Sequence, residues 1–186
     1  LRENNVNGND IPYEGSVNSH KTIITLGPTS DFGSLDVIYV GVEATIEDTS
    51  DNIISPTTST FTAEDAIAPI PSFDPSNTET NVAVNKSIRI TFDKNIRKLD
   101  HGALDDDNVD ALIHLRNNDA SGADIAFDAT IDKNYPIITI DPIDNFKSEQ
   151  KVYVKVAKVE DNTNNASRDT SITFTAAAVT TITFSP

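Results

Sequence analysis

From Ser87 to Asp93 the chain alternates without a break, with Ile88, Ile90 and Phe92 on one side and Arg89, Thr91 and Asp93 on the other. A period of two is the signature of a strand with one buried face. The same pattern predicts strands over residues 111–116, 125–131, 136–141, 151–159 and 170–176, and an edge strand after the prolines Pro69 and Pro71. Turn-forming stretches separate them, among them 117–123 with Ser121-Gly122, and Asp132-Lys133-Asn134. Seven short strands in about 110 residues describe an all-β, antiparallel β-sandwich. Residues 95–109 are read as loop, with at most one helical turn through Ile96, Leu99, Ala103 and Leu104. In 151–159 the alternation of Val152, Val154 and Val156 slips by one residue before Val159, which predicts a bulge.

The pattern occurs twice. At an offset of 114, residues 1–42 lie on residues 115–156 with 15 of 42 positions identical. After a one-residue shift, Glu47, Asp48, Asn52, Thr57, Thr60, Phe61, Thr62 and Ala63 match Glu160, Asp161, Asn165, Thr170, Thr173, Phe174, Thr175 and Ala176. A period this long is one domain rather than a solenoid unit, so the expectation is a tandem array in which each repeat buries its own core. Residues 1–65 are read as the C-terminal part of a first repeat whose opening strands are missing, 66–178 as a complete repeat, and 179–186 as the first strand of a third. The last assignment rests on the likeness of residues 181–186 to residues 70–75, and the chain is taken as a piece of a longer polypeptide. Residues 63–71, with Pro69 and Pro71, are expected to be a stiff junction. Phe32 and Phe146 are expected to plug the base of each sandwich.

Composition narrows the partners. Lys plus Arg is 14 and Asp plus Glu is 29, a net charge of −15, which repels nucleic acid and anionic membranes and favours cation binding or solubility. No apolar run is long enough to span a bilayer, so membrane insertion is not expected. Without cysteine there is no disulfide, no thiolate nucleophile and no cysteine-type zinc site.

A run of residues then carries a family resemblance. The order Pro69, Asp74-Pro75, Asn81 to Val84, Ser87 to Asp93, Ile138-Thr139-Ile140, Tyr153-Val154-Lys155-Val156, Glu160-Asp161, Asn165 and a closing Thr173-Phe174-Thr175 resembles the bacterial Ig-like domain of the S-layer-protein type. The resemblance implies an Ig-like sandwich in a surface or secreted bacterial protein, and it implies no activity. The family's turn glycine is replaced by Asp51 in the first copy and Asn164 in the second, both tolerant of a left-handed conformation.

One loop stands out chemically. Asp100, Asp105, Asp106, Asp107 and Asp110 crowd hard oxygen ligands into eleven positions, which makes calcium the candidate cofactor, although the spacing is not that of an EF-hand. The competing reading is a solvated acidic loop. The turns 47–52 and 160–165 are read as structural, with Asp48 and Asp161 accepting backbone hydrogen bonds. His20, His101 and His114 are scattered, nothing singles out a carboxylate pair, and there is no tryptophan platform for sugars, so no catalytic residue is expected and the chain is not read as an enzyme. The expected function is a structural spacer or stalk in an extracellular, surface-attached multi-repeat protein of S-layer or adhesin kind. Its expected partners are neighbouring Ig-like repeats and other surface proteins, with an intermolecular cover over the incomplete first repeat. The alternatives are a calcium-dependent or protein-binding module, and an accessory domain of a secreted hydrolase.

Overall fold

The computed structural model describes residues 1–132 and 134–179, so the strand expected over 179–186 lies, but for Val179, outside the described residues. Cα packing divides the chain into two compact units, Leu1–Ile67 and Ala68–Pro186.

Unit 1 holds β1 (Arg2–Glu3), β2 (Tyr13–Val17), β3 (Ile24–Pro28), β4 (Val37–Val42) and β5 (Thr57–Thr62). They form a three-stranded sheet in the order β1-β4-β5 and a β2-β3 hairpin, all antiparallel. Unit 2 holds β6 (Pro71–Asp74), β7 (Ile88–Phe92), β8 (Ile113–Asn117), β9 (Phe127–Ile131), β10 (Ile137–Pro142), β11 (Lys151–Val156) and β12 (Thr170–Thr175). Its sheets run β6-β7-β10-β9 and β12-β11-β8.

The alternation of β7 does what its period demands. Ile88, Ile90 and Phe92 are buried while Arg89 and Thr91 are exposed. The apolar side chains of both unit 2 sheets meet in one cluster that includes Ile138, Ile140, Val152, Val154, Ile172 and Phe174. This is the antiparallel β-sandwich expected from the pattern. Phe146 packs edge-to-face on Phe174 with centroids 5.4 Å apart, and in unit 1 Phe32 meets Phe61 in the same way at 5.7 Å.

The sequences of β1 to β5 correspond to those of β8 to β12, and the local structure follows. Arg2 and Arg116 each donate from Nε to a carboxylate eight residues on, Asp10 at 2.8 Å and Asp124 at 2.9 Å. Gly8 and Gly122 sit where a Cβ would be 1.6 Å from the carbonyl oxygen of Glu3 or Asn117, so the close backbone approach excludes any larger residue. Asp51 and Asn164 have φ of 60° and 68°, the left-handed conformation expected where the family has glycine.

Three expectations shift at their edges. Residues 111 and 112 belong to a 3₁₀ turn, Val109–Leu112, rather than to a strand, because Val109 is fully buried and its N–H closes on Asp105. The strand expected from residue 125 begins at Phe127. The strand expected to reach Val159 ends at Val156, so the slip in alternation falls in the connection that follows and not at a bulge. Val159 is buried there by a reciprocal bridge to Ser167, accepting from its N–H at 2.7 Å and donating to its Oγ at 3.0 Å.

Coverage separates the two units. In unit 1 only Ile38 is a buried apolar residue. Ile24 is 49% exposed where its counterpart Ile138 is fully buried, and Phe61 is 46% exposed where Phe174 is 1%. In unit 2 the faces carrying Ile138 and Phe174 are closed by Val82, by β7 and by Val109, which have no counterpart among residues 1–65.

Candidate functional site

A polar assembly in unit 2 joins the loop after β7 to the turn before β12. Arg97 and Glu160 exchange two backbone hydrogen bonds, at 2.8 and 3.0 Å, which zips the loop to the turn. Arg97 Nε then donates to Glu160 Oε1 at 2.9 Å and Arg97 Nη2 to Asn164 Oδ1 at 2.7 Å. His101 Nδ1 also lies within hydrogen-bond distance of Glu160 Oε1. Glu160 is buried, so the guanidinium compensates a carboxylate that water does not reach.

Asp161, next along the chain, is buried as well. Its Oδ1 accepts from Thr163 N and Oγ1, both at 2.8 Å, and from Asn165 N at 3.0 Å. Its Oδ2 accepts from Asn165 Nδ2 at 3.1 Å, with Lys94 Nζ at 3.5 Å. Burial on its own raises the carboxyl, but the hydrogen bonds from Asn165 and Thr163 outweigh it and hold Asp161 well below the usual carboxylate range. The structural role expected for this turn is what the geometry performs. Asp48 builds the same turn in unit 1, accepting from Ser50 N at 2.7 Å and Asn52 N at 3.0 Å, but it does so fully exposed.

An open cleft of about 400 Å³ lies beside this assembly, bordered by Arg97, His101, Leu104, Asp132, Tyr135 and Asn162. No buried side-chain nitrogen or oxygen among the described residues lacks a hydrogen-bond partner.

The five aspartates proposed as calcium ligands do not converge. Asp106 Oδ1 accepts from Ile131 N at 2.9 Å and Asp110 Oδ1 from Ala129 N at 2.8 Å. Those two amides belong to β9, an outer strand of its sheet, so the carboxylates cover donors that an edge would otherwise present to another chain. Asp100 turns to its own loop, where Gly102 N donates at 2.9 Å. That hydrogen bond lowers the Asp100 carboxyl, burial opposes it and Lys98 adds to the lowering. Asp105 contributes backbone, its carbonyl accepting from Asn108 N at 3.2 Å and Val109 N at 3.0 Å. Asp107 lies between them, exposed. Among the described residues no three His, Asp or Glu side chains are grouped to hold a metal ion.

The sequence sets Glu160 in a turn and leaves Arg97 and His101 far from it along the chain. The pairing spans 63 positions, and local spacing carries no signal for it. The one available hint was that Glu160 and Asp161 recur as Glu47 and Asp48.

A family model described as the bacterial Ig-like domain matches residues 65–176. No curated protein matches. Among solved structures, the chain is similar to the crystal structure of CopC from Methylosinus trichosporium OB3b, at 14% identity and a TM-score of 0.40, over 60% of this chain and 95% of that one. Among the described residues no helix is long and apolar enough to cross a membrane.

Proposed function

The chain belongs to the bacterial Ig-like domain family, and on that footing we propose that it is a non-catalytic structural module, a spacer or stalk segment of a multi-repeat bacterial surface or secreted protein of S-layer or adhesin kind. Family members of this type occur typically in surface or secreted proteins. The observation that carries the mechanical reading is how the two ends of unit 2 are tied together. The segment after β6 runs parallel to the last strand, with Val82 bridged to Ala176. Thr78 N donates to Thr173 O at 2.6 Å, Thr175 N to Glu79 O at 2.8 Å, Val82 N to Thr175 O at 3.1 Å and Ala177 N to Val82 O at 2.7 Å. Asn77 Oδ1 accepts a further bond from Thr173 N at 3.0 Å.

Tension applied at the two ends of the unit pulls these parallel segments in opposite directions along their length. The bonds are then loaded together in shear instead of opening one after another. Such shear loading suits a module that transmits force or holds distance.

Single-molecule stretching of the chain tests this. Unit 2 is expected to resist as one unit and then release about 110 residues, roughly 350 Å of new length. Val82→Pro, which removes one of the sheared donors, is expected to lower the peak force. Gradual extension without a discrete event would refute the mechanical role.

A further inference from the structure

We infer that the cleft between the loop after β7 and the β9–β10 turn is a saccharide site, with a neutral sugar stacked on the ring of Tyr135. The inference does not rest on the mechanical reading, because the residues that carry it lie outside the parallel segments that bear tension.

Three segments of unit 2 build the cleft, and each is fixed by its own hydrogen bonds. The β9–β10 turn closes through Asp132 N on Ile137 O at 3.0 Å, while Asp132 Oδ1 accepts from Asn134 N at 2.8 Å and Tyr135 N at 3.3 Å. The loop after β7 is pinned at Arg97 by the backbone exchange with Glu160, and it folds back through Lys98 N on Gly102 O and His101 N on Lys98 O, both at 3.0 Å. Asn162 comes from the turn that Asp161 organises. Ile96 and Leu104 line the cleft and also pack against the core. A site whose walls are already held loses little freedom on binding.

The lining has the mixed chemistry that a sugar ring needs. Tyr135 is 64% exposed, so most of its ring stands in water at the border of the cleft. The C–H face of a pyranose packs on such a ring. The side-chain amides of Asn134 and Asn162 each offer donors and an acceptor, and neither amide group has a partner among the described residues. Asp132 keeps Oδ2 as an acceptor and Arg97 keeps Nη1 as a donor, since Asp132 Oδ1 and Arg97 Nε and Nη2 are engaged. Sugar hydroxyls, each able to donate and to accept, answer that set. An anion does not, because the Arg97 charge is met by buried Glu160 and the uncompensated charge among the described lining residues, with His101 neutral, is the Asp132 carboxylate.

The duplicated half of the chain acts as a control. In unit 1 the positions of Asp132, Asn134, Tyr135 and Asn162 hold Asn18, His20, Lys21 and Thr49. The corresponding turns still form, with Asn18 Oδ1 accepting from Thr22 N at 2.8 Å and Ile23 N at 3.0 Å, and Asp48 Oδ1 from Ser50 N and Asn52 N. These turns therefore require neither the Tyr135 ring nor the Asn162 amide. An exposed ring and an unengaged amide meet at one cleft for a reason that the fold does not supply.

The test uses the full chain. Isotope-labelled 1–186 is titrated separately with cellobiose, maltose and diacetylchitobiose, and with glucuronate and inorganic phosphate as anionic probes. At least one neutral disaccharide is expected to shift the amide signals of His101, Tyr135 and Asn162 saturably at millimolar concentration, while unit 1 signals stay in place. Tyr135→Ala is expected to weaken that binding roughly 10-fold and Tyr135→Phe to retain it, because the ring face and not the hydroxyl carries the contact. Asn162→Thr, which installs the unit 1 residue, is expected to weaken binding with the unit 2 core signals unchanged.

Absence of a saturable shift at these amides with all three disaccharides would overturn the proposal. So would tighter binding of glucuronate or phosphate than of any neutral sugar, or binding that Tyr135→Ala leaves unchanged.

Discussion

Phe174 and Phe61 are the same residue at the same step of a duplicated sequence, and replacing each by alanine should have very different consequences. Phe174 is 1% exposed, sits between the sheets of unit 2 and packs edge-to-face on Phe146. Its removal loses the transfer energy of a buried ring, the aromatic contact and the packing around a cavity that closed walls cannot fill. Such substitutions cost about 3–5 kcal/mol. With a urea dependence of about 2 kcal/mol per molar for a domain of this size, the unit 2 midpoint should fall by roughly 2 M. Phe61 keeps the aromatic partner, Phe32, but is 46% exposed. Only about half of its burial can be lost and no closed cavity forms, so Phe61→Ala should cost about 1 kcal/mol, confined to unit 1. Urea unfolding followed by amide signals of each unit separates the two effects. Equal losses for the two variants would refute the reasoning, because they would mean that the unit 1 face is covered in solution or that the unit 2 core is not closed. A loss below 1 kcal/mol for Phe174→Ala would refute it from the other side.

Arg97→Ala should destabilise unit 2 by about 2–3 kcal/mol, less than a fully buried pair loses because Arg97 is partly exposed, and Glu160→Gln in that background should recover part of the loss. Strict additivity in the double-mutant cycle would remove the pair as an energetic unit. Asp161 has a depressed folded-state carboxyl, so its contribution is fully present above the unfolded value near 3.9 and is lost as pH falls below it toward the folded value. The stability gap between wild type and Asp161→Asn should therefore narrow from pH 5 to pH 3, and a constant gap would contradict this. Removing Asp106 and Asp110 together uncovers the Ala129 and Ile131 amides, so the double alanine variant should self-associate at high concentration in sedimentation with only a small loss of stability. Thermal melts of the wild type should coincide in calcium and in EDTA, and a transition raised by calcium would identify a cation site in the chain.

The sequence by itself determined the strands, their faces and their duplication. Ile88, Ile90 and Phe92 could be placed inside from their period alone. It also carried the Asp161 turn, because a side chain that bonds donors two and four residues away is a local event. Whether a face is covered was not legible, since alternation says which side chains share a surface and nothing about what lies across it. Ile24 and Ile138 occupy equivalent places in equivalent strands, and one is half exposed while the other is fully buried. What the acidic loop touches was not legible for the same reason. Its carboxylates are close together in sequence, but only the tertiary structure carries Asp106 and Asp110 to the edge amides of β9 and Arg97 to Glu160, across separations that no local pattern records.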